Sequence, residues 1–205
     1  MDDHLVTTMA QLEALYGKPS GPAVAKEIDH ISNGYRALIE AAPFVAIATC
    51  GPEGLDCSPK GDPAGFVRIL DDKTLAIPDR PGNNRFDGFR NILRDPRVAI
   101  LFLIPGVGET LRVNGRASIS LAPELMQSFA INGKLPRSVL VVHIEKIFFH
   151  CSKSIVRSKL WDEATKIDRK SLPSTGTIIA EFSNGQLGGA DYDRAAPERI
   201  KAQLY

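Results

Sequence analysis

The chain has 205 residues, 43% of them hydrophobic, which is enough to bury one sizeable core and suits a single domain. Its 25 Lys and Arg balance 24 Asp and Glu, a formal net charge of +1, which excludes a global electrostatic attraction to nucleic acid or to an acidic membrane surface. The longest apolar run, Val98 to Ile104, is far short of the roughly 20 residues that cross a bilayer as a helix.

The opening MDDHLVTTM is acidic where a secretory signal would be positive. The three cysteines, Cys50, Cys57 and Cys151, form no CxxC pair. A cytoplasmic protein without disulfides or a zinc centre is therefore expected. Met9, Leu12, Leu15 and Tyr16 fall at helical spacing ahead of Gly17 and Pro19, predicting a short helix over 8–16. A second helical pattern, Ile28, Ile31, Tyr35, Leu38 and Ile39, runs from Ala23 to Ala41 and stops before Pro43.

After Pro43 the period changes. FVAIATC reads as a buried strand, GPEGL as a turn, and a second strand follows around Asp56 to Ser58, together making a β-hairpin. GFVRIL and TLAI, joined by DDK, form another strand pair. Phe86, Phe89 and Ile92 or Leu93 then share one face of a helix that is expected to start near Asn83 or Asn84 and to end at Pro96. VAILFLI is apolar on both faces, as in a covered central strand. ETLRVNGRASIS alternates around Gly115, a residue suited to a bend or bulge. After a short helix at PELMQSFA comes a long strand over 139–150, rich in β-branched and aromatic residues. About six strands with few helical crossovers predict a small antiparallel barrel. The chain from Cys151 onward has lower apolar density and is expected to wrap a surface or a partner, ending in a short helix begun at Pro197.

Three constellations could carry chemistry. In DRPGNNRFDGFRNI, a helix start with free backbone N–H groups, Gly82, Arg80 and Arg85 suits a phosphate, although a capped helix with solvated arginines explains the same letters. Lys60, in DCSPKGDPAGF, could meet an anion or a polarised ring, or be an ordinary loop lysine. Thr110, Arg112, Asn114 and Arg116 share one strand face. His143 and His150 stand seven residues apart on one strand, hence on opposite faces, which argues against a shared metal ion. No GxGxxG or GxxxxGK[ST] pattern occurs, so phosphate recognition of the Rossmann or P-loop kind loses its support.

The ordered set SPKGDPAGFVRILDD, LAIPDRPGNNR, NILRDPRVAILFLIPGVGETLRVNGRA and HCSKSIVRSKLW resembles the pyridoxamine 5'-phosphate oxidase-like FMN-binding split-barrel family. The match is to a subgroup described as FMN-dependent enzymes and covers roughly residues 35 to 165. The resemblance implies a six-stranded antiparallel split β-barrel, one domain over 1–205, with N-terminal helices (about 8–41) and a C-terminal extension (about 151–205). It further implies a homodimer with FMN at the subunit interface and no nucleic-acid or membrane partner.

By position, the resemblance places Arg80, Asn83, Asn84 and Arg85 at the FMN phosphate, and Ser58, Lys60 and Gly61 beside the isoalloxazine. Thr110 stands where the family commonly has glutamine, within the pattern that continues through Arg112. Lys159 and Trp161 resemble residues that cover the flavin from the partner chain. The C-terminal Trp and Arg-Leu signature that binds pyridoxal phosphate in the vitamin-synthesising oxidases is absent from the sequence. The expected function is FMN-dependent oxidoreduction at flavin N5 of an unidentified small molecule, with no catalytic side chain assigned. A flavin-binding carrier or sensor, or a split-barrel protein using F420 or haem, is the alternative.

Overall fold

The computed structural model describes residues 4–19, 21–82 and 85–205. The N-terminal helix α1 (Met9–Tyr16) is closed by a capping box in which Thr8 and Gln11 satisfy each other's backbone amides. The expected second helix is broken into α2 (Pro22–Ala25) and α3 (Asn33–Ala41). The break has a clear cause. Ile28 leaves the helix to exchange two backbone hydrogen bonds with Ile147, at 3.1 and 2.8 Å, and Ser32 then caps a new helix through the Tyr35 amide.

Alternating and β-branched segments form β1 (Phe44–Gly51), β2 (Gly54–Gly61), β3 (Arg68–Asp71), β4 (Thr74–Asp79), β5 (Arg97–Leu103), β6 (Thr110–Ser120) and β7 (Ser138–His150). They make one antiparallel sheet of seven strands in the order β2-β1-β5-β6-β7-β4-β3, with α4 (Asp87–Arg94) between β4 and β5 and α5 (Pro123–Ser128) between β6 and β7. The expected count of six is corrected to seven. The four-residue β3 pairs with β4 through the DDK turn and adds an edge. Among the described residues the sheet is not closed by backbone pairing.

Burial alternates along the strands. Val45 and Ile47 of β1, Ile100 and Phe102 of β5, Leu111 and Val113 of β6, and Ile144 and Ile147 of β7 are all buried on the inner face. β5 shows the same alternation, so only one of its faces is sealed, where the sequence suggested two. Gly115 marks a bulge between Asn114 and Gly115, and a Cβ there would lie 2.1 Å from the His143 carbonyl oxygen, which explains the glycine.

Helix α4 packs against β1 and β2. Buried Asn91 donates to Thr49 Oγ1 at 3.2 Å and to the Gly54 carbonyl at 3.3 Å. Beyond β7, α6 (Lys153–Ser158) is followed by two short 3-10 turns and by α7 (Thr175–Phe182), α8 (Gly189–Arg194) and α9 (Ala196–Leu204). Asp193 joins α8 to α7 by accepting from the Gly176 amide at 2.8 Å. Among the described residues no helix is long and apolar enough to cross a membrane.

Candidate functional site

The edge strand β2 meets β4, the strand next to the other edge, through side chains rather than backbone. Lys60, near the end of β2, donates to Asp79 at the end of β4. Just beyond those strands Arg80 Nε donates to Asp62 Oδ2 at 2.8 Å. These pairs are partly buried, with side-chain exposures of 23% and 14% for Lys60 and Asp79 and of 15% and 2% for Arg80 and Asp62. The seam is thus held by two ion pairs that a backbone ladder would otherwise replace. Tyr205 reaches the same place: its hydroxyl donates to Asp62, and its ring lies 5.7 Å from the Arg80 guanidinium. That hydrogen bond, with burial, pushes the Tyr205 phenol up from its ordinary value.

A cavity of about 570 Å³ opens in this seam, within the size range that holds a cofactor or drug-sized ligand. Its walls come from β1 and β2 (Ile47, Thr49, Asp56, Ser58, Lys60), from the β4–α4 connection (Arg80, Arg85, Phe86), from α4 (Phe89, Ile92), and from the start of β7 (Arg137, Ser138, Leu140). Four cationic side chains line it beside aromatic and aliphatic ones. Ser58 Oγ donates to Asp56 at 2.8 Å. Lys60 Nζ also stands 5.1 Å from the Phe89 ring centroid, in reach of a cation–π contact. A Cβ at Gly88 would fall 2.7 Å from Asp56 Oδ2, so a larger residue there would have to displace that carboxylate.

The sequence-predicted residues divide into two groups. Ser58, Lys60, Arg80 and Arg85 line the cavity, while Gly61 follows Lys60 at the end of β2. Asn83 and Asn84 lie outside the described residues. The helix expected to begin at one of them begins at Asp87, with Phe86 as its N-cap. Asp87 in the first turn suits the helix dipole and pairs with Arg85 at 2.8 Å.

Thr110, Arg112, Lys159 and Trp161 do not line the cavity. The register explains the separation: Lys60 aligns with Val45, which aligns with Phe102 and then Leu111, a row whose three apolar members are buried. In the neighbouring row Ala46, Leu101 and Arg112 point to the opposite face. On that outer face Arg112 Nε donates to Asn114 at 3.0 Å and its guanidinium lies 5.6 Å from the Phe148 ring. Thr110 aligns with His150. Burial, with Lys26 and Arg112 nearby, lowers the His150 pKa below its ordinary value. Trp161 Nε1 donates to the Val107 carbonyl at 2.8 Å, and Lys159 is an exposed residue in the left-handed conformation at the end of α6.

Sequence reasoning missed Asp62, Asp79, Phe86, Arg137 and Ser138. Only contacts across the seam reveal their role, and no local motif marks them.

Residues 31–151 match the pyridoxamine 5'-phosphate oxidase family. The chain belongs to that family. The matched span runs from Ile31, before α3, to the end of β7, so it contains the whole sheet and α4. No curated relative matches the chain. Among solved structures, HupZ of Group A Streptococcus is similar at 23% identity, over 60% of this chain and 95% of that one, with a TM-score of 0.48. A candidate pyridoxamine 5'-phosphate oxidase of Lactobacillus delbrueckii is 20% identical, over 59% of this chain and 95% of that one, with a TM-score of 0.46. An F420 reductase is 20% identical, over 58% and 98%, with a TM-score of 0.42.

Proposed function

We propose that the seam cavity binds FMN and that the protein is an FMN-dependent oxidoreductase acting on a small molecule. The observation that carries this reading is the composition of the cavity wall. Arg80, Arg85 and Lys60 are grouped with the aromatic and aliphatic side chains Phe86, Phe89, Ile92 and Leu140, a donor set suited to a ligand with one anionic end and one flat apolar ring. The residues fit the cofactor, with Arg80 and Arg85 toward the phosphate and Ser58, Lys60 and Gly61 toward the ring. FMN would supply hydride and electron transfer at its N5.

The chain's own contribution is to bind, orient and shield. Phe86, Phe89 and Ile92 restrict water on one side of the cavity, and Lys60 places positive charge where a reduced, anionic ring would be stabilised. The residues outside the cavity, Thr110, Arg112, Lys159 and Trp161, belong to the proposal through a second copy of the chain. A single sheet cannot turn both faces to one ligand, so a homodimer in which each chain offers its inner face to one flavin and its outer face to the other reconciles the two groups. A cytoplasmic location accords with this use.

Purified protein is expected to absorb near 450 nm, about the usual flavin maximum, or to acquire that band on adding FMN. It is also expected to run as a dimer in light scattering. Colourless protein that ignores added FMN refutes the reading.

A further inference from the structure

Past α6 the chain crosses the surface as a strap. Trp161 Nε1 holds its start to the Val107 carbonyl, between β5 and β6, at 2.8 Å. From there α7, α8 and α9 hold mainly one another: Asp193 accepts from Ser174 and from the Gly176 amide, and the Arg199 guanidinium lies 4.0 Å from the Tyr192 ring. Helices α8 and α9 contain no buried residue, and α7 buries Gly176 alone. Ile178, Phe182, Leu187, Ile200 and Leu204 stay exposed. Such a segment has little apolar burial to fix it on the sheet.

Its far end is fixed at one residue. Among the described residues, the hydrogen bonds that join 163–205 to the chain before α6 are both made by Tyr205. The Tyr205 carbonyl accepts from Lys134, in the loop before β7, and its hydroxyl donates to Asp62, just past β2.

Asp62 is the point of coupling. Its side chain is 2% exposed, and its two oxygens take one donor each, Oδ1 from the Tyr205 hydroxyl and Oδ2 from Arg80 Nε. The Tyr205 ring also lies 5.7 Å from the Arg80 guanidinium, in reach of a cation–π contact. Withdrawing the hydroxyl takes one of two donors from a buried carboxylate, and withdrawing the ring frees one side of Arg80. A side chain of the cavity wall is thus set by a residue outside that wall.

We propose that Tyr205 is a positioning residue for the seam cavity: by closing the strap on Asp62 it fixes Arg80 in the cavity wall, so that strap closure and ligand binding favour each other. The coupling is reciprocal, because a ligand that needs Arg80 in place holds the strap closed by the same factor as the closed strap raises its affinity. The inference rests on the FMN reading only for the ligand that reports it.

The test compares wild type, Tyr205→Phe and Tyr205→Ala as full chains. Tyr205→Phe removes the hydroxyl and keeps the ring. FMN is titrated by flavin fluorescence quenching, and amide hydrogen exchange in α9 is followed with and without it. The FMN dissociation constant is expected to rise about 3- to 10-fold in Tyr205→Phe, the scale of one hydrogen bond. A rise of about 10- to 100-fold is expected in Tyr205→Ala, which also loses the ring contact. FMN is expected to slow exchange in α9 of wild type, less so in Tyr205→Phe and not at all in Tyr205→Ala. A tyrosine that only pins α9 would speed exchange on substitution, yet leave FMN affinity level and α9 indifferent to FMN.

If wild type binds no FMN, the flavin reading falls, and naphthalene-1-sulfonate, an anion on a flat apolar ring, replaces it in the same comparison by calorimetry. Weaker sulfonate binding in both variants then upholds Tyr205 as a positioning residue. Ligand affinities that are equal in the three chains, or a wild type that binds neither probe, overturn it.

Discussion

Lys60 has two partners that draw on different parts of its chemistry. Its ammonium is committed to Asp79, and its position over Phe89 keeps that charge beside the cavity. Replacing it by Met leaves Asp79 unpaired in a partly buried seam. A loss of about 1–3 kcal/mol in denaturant unfolding is expected, with a lower reduction potential for bound FMN. An unchanged potential would show that Lys60 serves the seam alone.

His150 gives a second residue-scale prediction. Its pKa is lowered from 6.5, so the unfolded chain takes up a proton first as pH falls. Its contribution is fully present above pH 6.5 and is lost as pH drops from there through the lowered folded value. His150→Gln is expected to flatten the stability profile in that window, and a slope that persists assigns it to another group.

At the scale of elements, the short helix α4 is the best test of how local sequence and packing combine. Its eight residues are too few for stability in isolation, and its N-cap has no side-chain hydrogen bond. Asn91 and the close approach of Gly88 to Asp56 hold it on the β1–β2 hairpin instead. Asn91→Ala leaves the buried Thr49 hydroxyl and Gly54 carbonyl without their donor. It is expected to cost about 1–3 kcal/mol and to raise amide exchange in α4 well above that in β6. Equal exchange would mean that Phe89 and Ile92 suffice.

The element pattern also shows what was legible. The hairpins, the long β7 and the Gly115 bulge follow from period-two burial and turn residues. The helix expected over 23–41 was interrupted because Ile28 pairs with Ile147, a partner too far along the chain for any window to register. The start of α4 moved to Asp87 because Asp87 satisfies both Arg85 and the helix dipole.

For the whole molecule, many carboxylates titrate below their ordinary values. Arg97 holds Asp95 well below the carboxylate range, Lys73 and then His30 hold Asp29 down to about 2, and Ser174 lowers Asp193. Lowered carboxylates stabilise above their unfolded pKa of 3.8 and lose that contribution as pH falls through the folded value. Asp29 is exposed and Asp95 and Asp193 are partly exposed, so salt should weaken the effect. Acid unfolding is expected to begin below pH 3.8 and to shift upward in added salt, followed by circular dichroism. A midpoint indifferent to salt would show that these ion-paired carboxylates do not set the acid sensitivity.

By itself the sequence determined the strand-rich core, its hairpins, and the donor-rich turn around Arg80 and Arg85, because periodicity, turn chemistry and helix signals act over a few residues. Only the tertiary structure decided that the sheet has seven strands, that Asp62 and Asp79 tie β2 to β4, and that Arg137 and Ser138 line the same cavity. It also separated Lys60 from Arg112 by turning them to opposite faces. Those outcomes depend on which distant strands align and in what register, and a one-residue change of register reverses every side chain.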